Sequence, residues 1–228
     1  MEKNIDSFEQ LTTRIGRLRM RRCGPILALT IFVAYAPTSS YEEEEVEAFY
    51  MDLEKFDRED HAFYKIIIGD FNAKVGPRRA PEEHHIGTHG LQWNDQGERL
   101  SEFIMTTKTI HENSQFQKPS SLRRTWESPG GGYRNEIDHI IVNKRFCLTD
   151  VAVVPKFYKG PDHRLLRGRF SFTRSAEKAA KFRERNPRTI INWDRFTTLV
   201  GFCEDFAMDN IDEESHCGRG FVLLSAFQ

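Results

Sequence analysis

The sequence has few of the residues that cross-link a chain or bind structural zinc. It contains four cysteines, Cys23, Cys147, Cys203 and Cys217, which lie far apart and form no CxxC pair. This spacing argues against a disulfide framework or a zinc ribbon, and it fits a reducing compartment.

Long apolar runs and net charge are also lacking. No run reaches the roughly 18 residues that a membrane-spanning helix needs, and residues 1–13 are mostly polar, without the apolar stretch of a signal peptide. We therefore predict a nuclear or cytoplasmic protein that is not secreted and has no membrane partner. The formal net charge is −1, so a surface for nucleic acid has to come from local basic clusters.

Apolar residues, by contrast, are sufficient for a globular core, at 39% of the chain with 18 phenylalanines. The most informative stretch is KIIIGDFNAKVG at 65–76. Its three consecutive isoleucines are typical of a strand covered on both faces. Gly69 follows them and lets the backbone turn or approach a ligand closely, because it has no Cβ. This stretch predicts a buried strand that ends in a functional corner.

The polar residues of that corner suit work on water and phosphate. Side chains alternate along an extended chain, so Asp70 and Asn72 are predicted to point the same way, with Phe71 opposite. Asp70 can take a proton from water or hold a metal, and Asn72 can donate a hydrogen bond to phosphate without adding negative charge. The alternative is a strand followed by an Asx-type turn, since Asp, Asn and Gly favour turns.

The remaining pattern predicts an α/β layered domain. Ser39 and Glu42 form a capping box that predicts the start of a helix at Ser39. Asp138 lies inside an apolar strand, where a carboxylate is costly unless it is paired. The predicted elements, in order, are strands at 14–20 and 27–35, a helix at 39–60, a strand at 66–70, a helix at 96–108, and strands at 109–116, 135–143, 150–154 and 165–172.

Several motifs, each next to a predicted strand, together carry a family resemblance. They are YAPT at 35–38, IIIGDFNAKVG at 66–76, GERLSEF at 97–103, TWESPGGGYRNEIDHIIVNKRF at 125–146 and DHRLLR at 162–167. In this order they resemble the endonuclease/exonuclease/phosphatase family, most closely the endonuclease domain of RTE-type non-LTR retrotransposons and the host genes described as craniofacial development protein 2-like. The resemblance implies an α/β fold, the four-layered α/β sandwich of the DNase I and apurinic endonuclease type.

The resemblance also implies roles for individual residues. Asp70 would activate water, Asn72 would orient it or bind phosphate, and His163 would contact a phosphate oxygen with Asp138 as its carboxylate partner. Tyr35 would place its hydroxyl at the phosphate or leaving group. The cofactor would be Mg²⁺ or Mn²⁺, held by Asp162, Asp70 and Asn72. Trp126 and Arg134 are candidates for DNA contact or for simple packing, and His139 is predicted to be a core residue.

Two departures from the family pattern stand out. Pro161 replaces the serine that precedes Asp-His, which predicts a displaced Asp162–His163 loop, since proline lacks an N–H and fixes φ. The family also begins with strands that carry a metal-binding Glu, and Glu2 and Glu9 lie in a polar segment predicted to form no strand. We therefore expect the first part of the domain to be missing and the reverse transcriptase domain of an intact element to be absent.

These motifs divide the chain and give three functional hypotheses. Residues 1–172 are predicted to be the C-terminal portion of the family's domain, and 173–228 a charged helical linker and a tail without a pattern. The first hypothesis is a metal-dependent DNA endonuclease that nicks target DNA or has been inactivated by truncation. The second is a non-catalytic relic that binds nucleic acid through basic runs at 14–22 and 156–188. The third is another phosphoesterase of the same fold.

Overall fold

The structure, a computed structural model, describes residues 5–20, 28–145, 147–158, 162–171 and 219–224. Within these ranges the chain forms two α-helices, eleven strands and short 3₁₀ turns. In chain order they are β1 (Ile5–Gln10), β2 (Ile15–Met20), β3 (Leu29–Tyr35), α1 (Glu43–Glu59), β4 (Tyr64–Asp70), α2 (Asp95–Thr107), β5 (Ile110–His111), β6 (Trp126–Glu127), β7 (Arg134–Asn135), β8 (Asp138–Val142), β9 (Leu148–Tyr158), β10 (Arg164–Ser171) and β11 (Arg219–Leu224).

The central sheet has six strands in the order β1-β2-β3-β4-β8-β5. β3 and β4 are parallel and are connected through α1, whereas the other neighbours pair antiparallel. The predicted isoleucine strand is β4, at the middle of this sheet. Its Gly69 has φ 153°, and a Cβ there would lie 1.8 Å from the carbonyl oxygen of Ala34, so only glycine allows β3 this close.

The two faces of β4 enter two separate apolar cores. Ile67 packs with Leu53 of α1 and Leu100 of α2. Ile66 and Ile68 pack on the opposite side, against residues of β9 and β10. The continuous apolar run is therefore explained by burial on both faces, as the sequence predicted.

The molecule is layered as helices, central sheet and a second sheet of order β11-β10-β9. This arrangement confirms the α/β fold class. Three of the four layers of the predicted sandwich are present in the described residues. Neither helix of the described part is long and apolar enough to cross a membrane.

Residues 5–10, for which the sequence predicted no strand, form β1. It pairs antiparallel with β2, and Glu9 forms ion pairs with Arg17 and Arg19. The strand is at the edge of the sheet and is largely exposed on both faces. Backbone pairing and charge complementarity hold it there, so no buried face leaves an apolar alternation in the sequence.

The predicted capping box at Ser39 is wrong. Helix α1 begins four residues later, at Glu43, and its N-cap Glu42 makes no side-chain cap hydrogen bond. The Ser40 hydroxyl instead lies 2.7 Å from that of Thr38. Three glutamates in the first turn remain to complement the helix dipole.

The C-terminal tail, which has no readable pattern in the sequence, contributes β11, which pairs antiparallel with β10. The predicted boundary near residue 173 and the charged helix at 173–188 lie outside the described residues. The division into two regions therefore remains a prediction.

Candidate active site

Two carboxylates meet at one end of the central sheet. Asp70 ends β4 and Asp138 begins β8, and the two are direct partners in the antiparallel register. Each is two residues from an isoleucine, Ile68 or Ile140, that packs against the second sheet. By the two-residue period of a strand, both carboxylates face the second sheet at the point where β10 begins.

His163 lies just before β10 and reaches both carboxylates. Its Nδ1 lies 3.1 Å from Oδ2 of Asp138, and its Nε2 lies 3.8 Å from Oδ2 of Asp70. The structure thus brings together three residues that are widely separated in the sequence. Pro161 is outside the described residues, but the predicted displacement of His163 is not observed, because the imidazole contacts Asp138.

Backbone hydrogen bonds to β6 hold the loop that carries His163. The N–H of Glu127 donates to the carbonyl of Asp162 at 2.8 Å, and the N–H of Arg164 donates to the carbonyl of Thr125 at 2.6 Å. The Thr125 hydroxyl accepts from the N–H of Asp138 at 3.1 Å. One short segment therefore orients the histidine and its carboxylate partner together.

The electrostatics of the three residues are coupled. Burial, followed by the charge of Asp138, raises the pKa of Asp70 to about 6, even though the N–H of Asn72 and the charge of His163 favour its ionised form. Burial by itself lowers the pKa of His163. The hydrogen bond that the imidazole donates to Asp138 and the charges of Asp138, Asp70 and Asp162 together outweigh burial, so that this pKa is raised.

Asn72 does not continue the strand as predicted. It has φ 51°, in the left-handed region, and its N–H donates to Oδ1 of Asp70 at 2.9 Å. This is the Asx-type turn that the sequence left as the alternative. The Asn72 amide nitrogen donates to the carbonyl of Ala36 at 3.0 Å, which fixes the side chain beside Asp70.

The donor chemistry fits a hard divalent cation. Oδ1 of Asp162 is buried and has no hydrogen-bond partner among the described residues, and burial, followed by the charge of Asp138, raises the pKa of the Asp70 carboxyl. No group of three His, Cys, Asp or Glu residues forms a metal cluster in the described part of the chain. Mg²⁺ binds through one or two carboxylates and keeps several waters, so a partial protein donor set suits it.

The other predicted residues lie around this centre. Tyr35 ends β3 opposite Asp70 in the parallel register and is 49% exposed, with the guanidinium of Arg14 5.7 Å from its ring centroid. Trp126 is half-buried, and its backbone forms an isolated antiparallel β-bridge with that of His163. Arg134 is exposed on β7 and donates to Oε1 of Glu127 at 2.8 Å.

Residues that the sequence interpretation missed form a buried hydrogen-bond network that holds the backbone at Asp138. The Arg123 guanidinium bonds the buried carboxylate of Glu136 at 3.1 and 3.3 Å, and Asn113 donates to Glu136 and to the carbonyl of Asp138, each at 3.0 Å. The only sequence signal was Glu136, an acidic residue beside an apolar strand. Its partner Arg123 is 13 positions away, so a local pattern does not reveal the pair.

The opposite face of β8 carries a second histidine site. His139 is fully buried, as predicted for a core residue. Its Nε2 lies 2.8 Å from the carbonyl of Ala73 and its Nδ1 lies 2.9 Å from Nε2 of His111. Nδ1 of His111 lies 2.8 Å from the Ser114 hydroxyl. Burial lowers the pKa of His139 to about 4 and that of His111 well below its ordinary value.

Fold and site together define an α/β sandwich with a carboxylate–histidine centre at one end of its main sheet. No family model matches the chain. The chain is similar to craniofacial development protein 2 of Bos taurus, at 38% identity over 159 residues, covering 67% of this chain and 26% of that protein. The protein of the same name from Tragulus javanicus is 36% identical and covered to 27%. The chain spans about a quarter of the length of these curated relatives.

Solved structures with a similar fold include three phosphoesterase-type proteins. The 3′ phosphatase NExo from Neisseria, bound to a product DNA hairpin, has a TM-score of 0.46 and 16% identity, with 72% of this chain and 66% of that chain covered. The AP endonuclease LMAP from Leishmania major gives 0.46 and 14%, with 68% and 54% covered. An endonuclease/exonuclease/phosphatase family protein from Leptotrichia buccalis gives 0.42 and 14%, with 62% and 47% covered. The predicted retroelement branch stays a prediction.

Proposed function

We propose that this chain carries the active centre of a metal-dependent phosphodiesterase that acts on DNA. The observation that carries the proposal is the convergence of Asp70, Asp138 and His163, two carboxylates and a histidine, at one end of the sheet. Phosphodiester hydrolysis needs a base for water and a positive clamp for the charge that develops on phosphorus. This centre supplies both groups side by side.

Asp70 is the base in this proposal, and His163 is the clamp. Asp70 ends a rigid, buried strand, and its carboxylate accepts the proton of the attacking water. His163, held by Asp138, donates to a non-bridging phosphate oxygen in its charged form. Asp138 fixes the imidazole through Nδ1 and leaves Nε2 for the substrate. Asn72 and Tyr35 border the same space and orient water and leaving group.

Mg²⁺ or Mn²⁺ is the proposed cofactor, held by Asp162 and Asp70 with Asn72 beside them. When bound, such an ion supplies Lewis-acid stabilisation of the phosphate charge. The unpartnered buried oxygen of Asp162 supports this assignment. Strands β6 and β7 pair as a two-stranded antiparallel ribbon. This ribbon would then contact the DNA through Trp126 and Arg134.

The biological setting we propose is target-site nicking by a non-LTR retroelement or a host gene derived from one. It is supported by the resemblance of the motifs at 66–76 and 125–146. In an intact element a reverse transcriptase domain would act on the nicked end. Such work on chromosomal DNA is compatible with the nuclear or cytoplasmic location that the sequence predicts.

The test is nicking of supercoiled plasmid by the purified chain with Mg²⁺. We expect the parent chain to nick, and Asp70→Asn and His163→Ala to lose at least 100-fold in rate, as is typical when a general base or a charge-stabilising donor is removed. His61→Gln, a substitution on the exposed surface, is the matched control and should keep full activity.

If the parent chain is folded and does not nick the plasmid, the enzymatic proposal is wrong. If that chain still binds DNA, the non-catalytic hypothesis takes its place. If it hydrolyses a soluble phosphate ester but not DNA, the third hypothesis, another phosphoesterase of the same fold, takes its place.

A further inference from the structure

One polar cavity is lined by residues that are close in sequence to those of the candidate active site. It has a volume of about 200 Å³ and is lined by Lys74, Arg124, Arg134, Glu136, Leu91 and Gln92 together with two neighbouring residues. We call this cavity the basic groove. It lies between the turn that follows β4 and the ribbon of β6 and β7, and none of its lining residues is among the proposed catalytic groups.

The charge in the basic groove is predominantly positive. Three of its side chains are cationic, and the one acidic residue, Glu136, is buried and already bonded to Arg123 and Asn113. Among the described residues, Lys74 and Arg124 have no side-chain hydrogen bond or ion pair, although both are only half-exposed. Two half-buried cations without a counter-charge favour an external anion.

The groove is tied to the active centre by the backbone. Lys74 follows Asn72 by two residues, and its N–H donates to Oδ1 of Asn94 at 2.7 Å, which fixes the turn. Arg124 directly precedes Thr125, whose hydroxyl holds the N–H of Asp138. The cations of the groove therefore have a defined position relative to the centre.

We propose that the basic groove binds a backbone phosphate of the nucleic-acid strand, next to the phosphodiester held at the candidate active site, with Lys74 and Arg124 as its main contacts. The proposal rests on the proposed function, because it assigns a second contact to the same strand. Arginine and lysine are the usual ligands of backbone phosphates, and such contacts position a strand without reading its sequence. The groove offers little apolar surface for a base, so a phosphate is the ligand that its chemistry suits best.

The experiment measures binding without cleavage. Fluorescence anisotropy follows a labelled 20-base-pair duplex in EDTA between 50 and 200 mM salt, for the parent chain and the double variant Lys74→Ala/Arg124→Ala. We expect the double variant to bind about tenfold more weakly at the lowest salt and to lose about 1 from the slope of log K against log salt, corresponding to one phosphate contact.

Two further variants separate charge from folding. Lys74→Arg/Arg124→Lys keeps both charges and should retain the parent's slope. Lys55→Ala removes an exposed charge from α1, away from the groove, and should leave affinity and slope unchanged. An equal thermal unfolding midpoint for the parent and the double variant shows that the alanines act on binding.

The outcomes distinguish this proposal from the proposed function. A chain that binds the duplex with the expected loss of slope, but never nicks plasmid, supports the groove and removes the enzymatic proposal. A chain that nicks while the double variant keeps the parent's slope removes the groove alone. A parent chain that fails to bind the duplex, or that binds inorganic phosphate at this groove in preference to the duplex, overturns the groove proposal.

Discussion

Histidines on the two sides of β8 have pKa values that are shifted in opposite directions. Asp138 and His139 are adjacent, so they face opposite sides of the central sheet. On one side, Asp138 holds His163 beside a second carboxylate, and the pKa of that histidine is raised. On the other side, His139 meets His111 within the core, and the pKa values of both fall.

The difference shows that the neighbours of an imidazole, and not its burial alone, decide its charge. His139 is fully buried and His163 partly so, and burial lowers the pKa of both. The charge of Asp138 raises both pKa values, but only His163 is hydrogen-bonded to Asp138 and also close to Asp70, which together outweigh burial. The histidine whose pKa is raised is thus placed beside the two carboxylates, and the pair whose pKa values are lowered is confined to the interior, where it connects β5, β8 and the segment after β4.

The largest expected effect comes from removing the carboxylate that holds His163. Asp138→Asn keeps the shape of the side chain but removes the charge that holds His163 protonated. We expect nicking to fall on the order of 10³-fold, because loss of the orienting carboxylate disables an adjacent histidine. An NMR titration of the His163 imidazole should show that its pKa has decreased.

The matched control is Asp95→Asn, which removes an exposed carboxylate from the first turn of α2 and should leave nicking unchanged. Full activity of Asp138→Asn would show that His163 does not depend on this partner.

Acid is expected to destabilise the folded chain through the buried pair His139 and His111. The pKa of His139 is about 4 in the folded chain and about 6.5 in the unfolded chain, so the unfolded state binds more protons between these values. The stabilisation that neutral His139 contributes is therefore fully present above pH 6.5 and is lost as pH falls toward 4. Lowering the pH from 7.5 to 5 should decrease the free energy of unfolding by about 2 kcal/mol from His139 alone, and His111 acts in the same direction.

The two titrating groups of the charged side oppose this loss, since the raised pKa values of Asp70 and His163 make the folded state bind protons more readily. Urea unfolding is therefore best compared at the two pH values in an Asp70→Asn/His163→Gln background. Adding His61→Gln, on the surface, should change nothing. Glu112 and Glu136 also have raised pKa values and act against the histidines, so the same comparison is made with His139→Gln added to that background. A pH dependence that is equal with and without His139 would contradict the buried neutral pair.

The smallest expected effect concerns the junction that orients the charged side. Thr125→Val removes the acceptor of two buried N–H groups, those of Ile137 and Asp138. We expect unfolding to become easier by about 1–2 kcal/mol, with a modest fall in nicking because Asp138 is less well fixed. Thr125→Ser keeps the hydroxyl and should restore both.

A suitable control is Thr149→Val on β9, whose exposed hydroxyl donates to the carbonyl of Arg169. Urea unfolding of the variants measures the difference. Destabilisation by Thr125→Ser with none by Thr125→Val would mean that packing of the methyl group, and not the hydroxyl, holds this junction.

Local pattern predicted the elements whose burial repeats along the chain. The isoleucines of β4 were identified because a continuous apolar run is typical of a strand buried on both faces. β1 was missed because an exposed edge strand has no such pattern. The start of α1 was predicted four residues early, because Ser39 satisfied a capping pattern that the chain does not use.

The same reasoning explains what was found of the candidate site. Asp70 and Asp138 were identified as polar residues at the ends of apolar strands, and they are register partners. The turn at Asn72 was one of two alternatives that the sequence allowed, and the hydrogen bond to Asp70 selects it. Lys74, Arg124 and the Arg123–Glu136 pair were missed, because side chains far apart in sequence meet there.

The sequence by itself determined the α/β layering and the residues that end the central strands, because these depend on short-range periodicity and residue chemistry. Only the tertiary structure decided which histidine has a raised pKa and which a lowered one, and which cations gather into one groove. Those properties depend on distances between groups that lie on different strands and loops. The pairing of β4, β8 and β10 fixes these distances, and no local pattern encodes them.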